Sequence, residues 1–454
     1  MGSVASIIRY LQTRVPHLNA EPSQPVPSLS RGPIGRSALR KANLRLLPLL
    51  GLGYGAAFID RVNISFASLQ MNRDLHFSSS IYGFGAGLFF LGFATCEIPS
   101  NLLLYRFGAR RWLARIMLTW GLLAVGMMFV KTPTQFYVMR FLLGMAEAGF
   151  FPGAVFYLAQ WFPSTMQARA VSRLYLGPPL GSVVMGALAG ALLNLQGTLG
   201  LAGWQWLFLT EGLLPVLLSL VLLIYLPDTP TEAAWLSVEE RAWLLSQPKH
   251  HAAAEGSQDG LRYALVDPLV WKLGLAIFCM LICAYGYSFS APAILQKVTA
   301  LNVSKIGFLV AFMGLLNALG LVLNAIHSDR TGERYWHIIL PLLLMAGGYL
   351  VGGLSVNPLW VVPALTVSTV GFYCTQGIFF AIPSSFLKGR SAAAGIAAIT
   401  TIGIVGGFTG PYWMGLMKDL TGNYRRGLIT LAIPALAAAA IMFDVRRSAQ
   451  LRKS

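Results

Sequence analysis

This sequence predicts an all-α membrane protein of twelve transmembrane helices, arranged as two six-helix halves. Three observations carry the prediction. Charged residues are 11% of the chain and hydrophobic residues 56%, with a mean hydropathy of +0.63; a soluble domain carries roughly 25% charged residues. Apolar runs of about 20 residues, the length a bilayer core demands of a helix, recur along nearly the whole chain. The basic residues between those runs alternate from heavy to light.

Residues 1–43 contain "EPSQPVPSLSRGPIGR" and are rich in Pro, Ser and Arg. They hold no apolar stretch long enough for a signal peptide, and they read as a disordered cytoplasmic tail. The N-terminal half, 44–226, follows with spans at 44–69, 80–104, 112–131, 134–160, 168–193 and 204–226. A polar, acidic connection at 227–268 separates it from the C-terminal half, 269–446. Within the connection, "SVEERAWL" offers Ser237 as an N-cap with Glu240 three residues on, which predicts a short surface helix. The second half gives spans at 269–295, 304–327, 336–355, 358–386, 392–417 and 427–445, and 447–454 is a second cytoplasmic tail.

Twelve spans put both termini on one side. Of the 34 Lys and Arg, 25 then fall in the inside segments and adjoining helix ends. Seven lie outside: Arg73, Lys131, Lys297, Lys305, Lys418, Arg425 and Arg426. The positive-inside rule makes the termini and central connection cytoplasmic, in a plasma (inner) membrane protein. The net charge of +17 is therefore a topology signal, and no nucleic-acid partner is expected. The four cysteines lie in apolar runs without a CxxC pair and read as buried thiols. No metal-ligand or nucleophile–base constellation is present, so neither an enzyme, a metal nor a cofactor is expected.

An internal repeat supports the two halves. "YRFGARR" (105–111) follows span 2, and "SDRTGERY" (328–335) follows span 8. Arg106, Gly108 and Arg110 align with Arg330, Gly332 and Arg334 at an offset of 224 residues. Glycine lets a tight turn reverse, and the arginines suit helix-end carbonyls or anionic headgroups. This architecture and loop resemble the major facilitator superfamily, whose loop reads G-x-x-x-D-R-x-G-x-R-R. This chain has Asn101 and Tyr105 at the Gly and Asp positions, whereas the second copy keeps Asp329. More narrowly, "FIDRVNISFASLQMNRDL", "EIPSNLLLYRFGARRW", "RFLLGMAEAGFFPGAVFYLAQWFP" and "GGFTGPYWMGLMKDLTG" are similar to the anion:cation symporter family. The resemblance covers about 42–446. It implies a monomeric, proton-driven importer of organic anions such as sugar acids, tartrate-like acids or aromatic carboxylates.

Six charged residues lie in or near apolar cores of the first half: Asp60, Arg61, Glu97, Arg140, Glu147 and Glu211. An insertion scale charges about 2.5–3.5 kcal/mol for Asp, Lys or Arg at a helix centre, so such residues must pair or line a wet cavity. Arg140 and Glu147 lie seven residues apart, on one helix face and about 10.5 Å apart along the axis. Asp60 and Arg61 diverge by about 100° and so seek partners elsewhere. Asp60 with Arg140, or Arg61 with Glu147, are both possible pairings. The four sum to zero when both acids are ionised; an incoming carboxylate makes the site negative, and one proton on Asp60 or Glu147 restores neutrality. Arginine grips carboxylates bidentately, which suits Arg61 and Arg140 to the anion. The resemblance implies the same roles, with proton binding at Asp60 and Glu147 and anion binding at Arg61. Glu97 reads as a structural anchor of the loop or of the interface between halves.

The second half is expected to add neutral contacts to the substrate: Tyr285, Tyr287, Asn317, Tyr373, Gln376 and Thr400. Phe93 and Ile404 stand where many similar proteins have Tyr and Asn, which favours a less hydroxylated or aromatic carboxylate. The other readings are an exporter or exchanger of the same fold with a different substrate class, and a non-transporting membrane sensor.

Overall fold

The computed structural model describes residues 32–174, 177–247, 266–383 and 390–451. Among them, eleven helices are long and apolar enough to cross a membrane. The all-α, multi-spanning architecture follows the sequence, with the count differing at one place. The expected span at 168–193 divides into α6 (Ser164–Leu174) and α7 (Gly177–Leu193), on either side of residues outside the described set. Neither piece reaches full membrane length.

In the first half, α1 (Pro33–Asp74) is followed by α2 (Ser79–Phe107), α3 (Ala109–Gly126), α4 (Pro133–Glu147), α5 (Phe150–Trp161), α6, α7 and α8 (Gly203–Tyr225). The short helix predicted in the connection is α9 (Val238–Ser246). The second half contains α10 (Pro268–Thr299), α11 (Val303–Thr331), α12 (Trp336–Leu354), α13 (Pro358–Phe379), α14 (Arg390–Thr421) and α15 (Arg425–Leu451). Local chemistry sets the starts. Proline opens α1, α4, α10 and α13, where its missing N–H costs nothing. Ser78, Thr132, Asp267, Asn302 and Asn357 cap helices with side-chain oxygens.

The first helix begins earlier than the sequence suggests. Residues 33–43, assigned above to the tail, continue α1 because they dock on α9. Ser237 and Glu240 form the expected capping box, with bonds of 2.9 and 3.1 Å. Glu240 then accepts from Lys41 Nζ at 2.8 Å and Ser37 Oγ at 2.6 Å. Burial raises its carboxyl, but the bonds from Lys41, Ser37 and Ser237 outweigh that and hold its pKa at about 2.

The halves meet at one end of the bundle, where the α1–α2, α10–α11 and α14–α15 turns lie. There α2 packs on α14 and α7 on α11. A Cβ on Gly307 would sit 2.0 Å from the Gly186 carbonyl, so only glycine permits that approach. Among the described residues, hydrogen bonds joining the halves there include Tyr82 Oη to the Phe289 carbonyl (2.8 Å) and Asn194 Nδ2 to Ser304 Oγ (3.2 Å). Asp419 Oδ1 and Oδ2 accept the Ser79 and Ser80 amides at 3.0 and 2.7 Å, closing the free amino end of α2.

Candidate functional site

Asp60 and Arg61 lie about two-thirds of the way along α1 and point apart, as adjacent helical residues must. Asp60 turns into the first half and is 2% exposed. Arg61 turns toward the space between halves, and its Nη2 donates to Glu147 Oε1 in an ion pair. The guanidinium also lies 5.4 Å from the Phe89 ring centre and 5.3 Å from that of Phe93. Phe93 thus keeps an aromatic face on Arg61 while offering it no hydroxyl.

Glu147 is the last residue of α4 because the helix breaks just after it. Gly149 takes φ +89°, and a Cβ there would fall 2.3 Å from Ser100 Oγ. The run read from sequence as one span at 134–160 is therefore two helices, with Glu147 at the joint. Two turns earlier, Arg140 is fully buried; its Nη2 donates to the Ala86 carbonyl at 3.4 Å, and its Cζ lies 5.0 Å from the Phe89 ring centre. Arg140 Nε and Nη1 and both Asp60 oxygens make no hydrogen bond. Asp60 and Arg140 nevertheless lie in each other's electrostatic field. Of the two pairings left open by the sequence, Arg61–Glu147 forms as a contact, and Asp60 and Arg140 form no ion pair among the described residues.

The face of α1 that carries Arg61 also carries Phe58, Val62 and Ser65, which border a cavity with about 610 Å³ of empty volume. Tyr287, Asn317 and Tyr373 line it from the second half. The Tyr287 hydroxyl and Asn317 Oδ1 have no hydrogen-bond partner. Tyr285 is not part of this wall; its ring packs 4.3 Å from Phe90, and it lies within electrostatic reach of Arg61. Gln376 and Thr400 also lie outside the wall. Gln376 Nε2 donates to Thr375 Oγ1 at 3.4 Å, and the Thr400 hydroxyl bonds back to Ile396 and Ala397 carbonyls. Glu97 forms no ion pair to the 105–111 loop among the described residues, and it lies instead in the field of Arg61.

The repeated loops turn differently, with ψ of 152° at Gly108 and 4° at Gly332. Gly108 and Gly332 both take positive φ, +83° and +68°. Their arginines act on different partners. The Arg110 amide donates to Asp228 Oδ1 at 2.8 Å, with its Nε 3.7 Å from Oδ2. Arg334 Nη1 donates to the Ala381 carbonyl at 3.1 Å. Arg106, Asp329 and Arg330 are exposed. Asp228, Asn63 and Asp419 escape the sequence reading; the signals were an acid just past span 6 ("LPDTP"), an amide one turn after Asp60, and an acid closing span 11 ("MKDLTG").

Two helical halves closed at one end, with buried charge and a cavity where they meet, define a membrane transporter. The model for the Major Facilitator Superfamily matches residues 50–411, and the chain belongs to that family. It is a multi-pass secondary transporter of small solutes rather than an enzyme. The chain is 42% identical over 411 residues to a putative tartrate transporter of Agrobacterium vitis, covering 90% of this chain and 91% of the relative. It is 37% identical over 424 residues to a quinolone resistance transporter of Acinetobacter baumannii, covering 92% and 97%. Among solved structures, a bacterial homolog of the human lysosomal transporter Spinster aligns with a TM-score of 0.77 at 18% identity, over 89% of this chain and 97% of that one.

Proposed function

We propose that this protein imports an organic carboxylate with protons, by alternating access across the plasma membrane. The observation that carries the reading is the Arg61–Glu147 pair, set beside the cavity and backed by buried Asp60 and Arg140. Arg61 is held by an acid of its own, Glu147. A carboxylate entering the cavity competes with Glu147 for the guanidinium. A proton on Glu147 releases Arg61 to the anion, and a proton on Asp60 would balance charge one residue away. Burying an unbalanced charge costs several kcal/mol, so closure around the anion favours its arrival with a proton. Tyr287, Asn317 and Tyr373 are the neutral groups positioned to meet the rest of the substrate.

With both termini cytoplasmic, the end of the bundle where the halves meet would face outside, and this arrangement would exchange substrate with the cytoplasm. The putative tartrate transporters among the relatives support a carboxylate; Phe93 and Ile404 favour one with few hydroxyls. An exporter or exchanger is the second reading, favoured by the relative named for quinolone resistance.

Reconstituted vesicles under an imposed inward proton gradient test the proposal. Wild type is expected to accumulate the transported acid, and Asp60→Asn to exchange it without accumulation. Gradient-driven accumulation by Asp60→Asn would remove that residue from coupling. Proton movement opposite to the acid would favour the exporter.

A further inference from the structure

Glu211 is a buried acid on α8 with no role in the scheme above. It is 6% exposed, and neither carboxyl oxygen makes a hydrogen bond. Its position follows from the packing of α1 against antiparallel α8. A Cβ on Gly203 would lie 2.6 Å from Gln70 Oε1, so these two residues are level. Eight residues on, Glu211 lies about 12 Å along α8; seven residues back, Asn63 lies about 10.5 Å along α1. Asn63 and Glu211 therefore lie at about the same level of the two helices, and Glu211 and Asp60 lie in one electrostatic field. Asp60, Asn63 and Glu211 are 2%, 0% and 6% exposed. All of their side-chain polar atoms lack a partner at hydrogen-bonding geometry.

The surroundings supply no cation to Glu211. Asp60 is the charged group whose field reaches it. Helix α7 contains no charged residue, and α8 has none besides Glu211. The arginines of α3 are at 110, 111 and 115, toward its first turns, whereas Gly121 is the level that meets Gly212. On the far side of Asp60 stand Arg61, Arg140 and Glu147. Counting Glu211, the cluster holds three acids and two arginines, one negative charge in excess. With Arg61 and Arg140 already balanced by Glu147 and Asp60, a third buried acid at Glu211 cannot ionise cheaply.

We infer that Glu211 is a third proton-binding residue of the coupling site, sharing one proton with Asp60 across Asn63 in the empty transporter. The inference rests on the proton-coupled reading. The empty site then already carries a proton and is neutral, and substrate recruits a second. No covalent step is involved: the proton resides on a carboxyl oxygen of Glu211 or of Asp60, and Asn63 stays a neutral amide. At alkaline pH the shared proton leaves, the empty site becomes negative and cycling stops.

Two measurements on the full-length protein in lipid vesicles test this. Infrared difference spectra on pH titration are expected to show a protonated-carboxyl band at neutral pH that Glu211→Gln removes. Substrate exchange, followed without a gradient, is expected to persist in Glu211→Gln with its alkaline limb moved to higher pH, and Glu211→Asp to restore the wild-type limb. A band that survives in Glu211→Gln overturns the inference. So does loss of the band with an unmoved limb, which makes Glu211 a permanently protonated structural acid. Wild-type protein that exchanges substrate without gradient-driven accumulation refutes proton coupling instead, and the infrared result still stands or falls by itself. Loss of all exchange in Glu211→Gln, with Glu211→Asp equally inactive and the band unchanged, also counts against it.

Discussion

Replacing Glu147 with Gln separates the two jobs assigned to the acid. In the wild type, Glu147 is 1% exposed and paired to Arg61. Removing one member of a buried pair costs about 3–5 kcal/mol, because the other charge is left uncompensated. The empty variant is therefore expected to be less stable by an amount of that order, with Asp60 one position along α1 softening the loss. The effect on the anion has the opposite sign. A carboxylate no longer displaces a rival worth about 1.5–3 kcal/mol, the range for a hydrogen bond to a charged group. That converts to roughly 10- to 150-fold tighter binding at pH values where wild-type Glu147 is ionised. The assay is calorimetric titration of detergent-purified wild type and Glu147→Gln with the transported acid, across a series of pH values. Wild-type affinity should fall as pH rises, and that of the variant should stay level. A variant that binds more weakly than wild type and keeps the same pH dependence would refute the competition between Glu147 and substrate for Arg61.

Three further outcomes are expected. Asp419→Ala removes the acceptor of two α2 amides; at about 1.5 kcal/mol the outward-open population grows roughly tenfold. A cysteine introduced at Ser182, in a background free of the four native cysteines, should then react faster with an impermeant thiol reagent added outside. Gly307→Val forces a side chain against the Gly186 carbonyl, an overpacking cost of about 1–3 kcal/mol. The same labelling should rise, and apparent stability of the purified protein should fall. For Glu240, the folded carboxyl is held below its ordinary value, so its contribution is full above the ordinary glutamate range and is lost as pH falls toward about 2. Amide protection factors across residues 33–43, taken relative to the unfolded rate at each pH, should be high at neutral pH and fall at strong acidity, and Glu240→Gln should lower them at neutral pH.

The spans were legible because a bilayer leaves few alternatives to a long apolar helix. What failed to show was whatever depends on a partner distant in sequence. Residues 33–43 look like a tail, since their polar composition is explained only by α9, some 200 residues on. The break at Gly149 hides inside an apolar run, where one glycine among many carries no mark of its φ. Asp60 and Arg61 announced themselves as charges in a hydrophobic helix, and their divergence followed from helix geometry. Their pairing did not, because it depends on how α4 is rotated and where it ends. The second-half candidates divide for a similar reason. Tyr373 reaches the cavity and Gln376 does not, although they lie three residues apart on α13. Helical phase relative to the neighbouring bundle decides between them, and a single sequence does not record it. Asp419 is the extreme case, for its partners are backbone amides 340 residues away.

Helix α1 is 42 residues long, about 63 Å, roughly twice the thickness of a hydrocarbon core. Its amino end is fastened to α9, and Asp60 and Arg61 lie about two-thirds of the way along it. From Asp60 to Ser37 the rod measures about 35 Å, so a tilt of about 15° at the charge cluster sweeps the far end through about 9 Å. Moved as one body across Pro48, the helix would act as a lever that turns a tilt in the membrane into a displacement at its amino end. A fluorophore near Ser37 would report each turnover from a place where the label disturbs neither substrate nor proton.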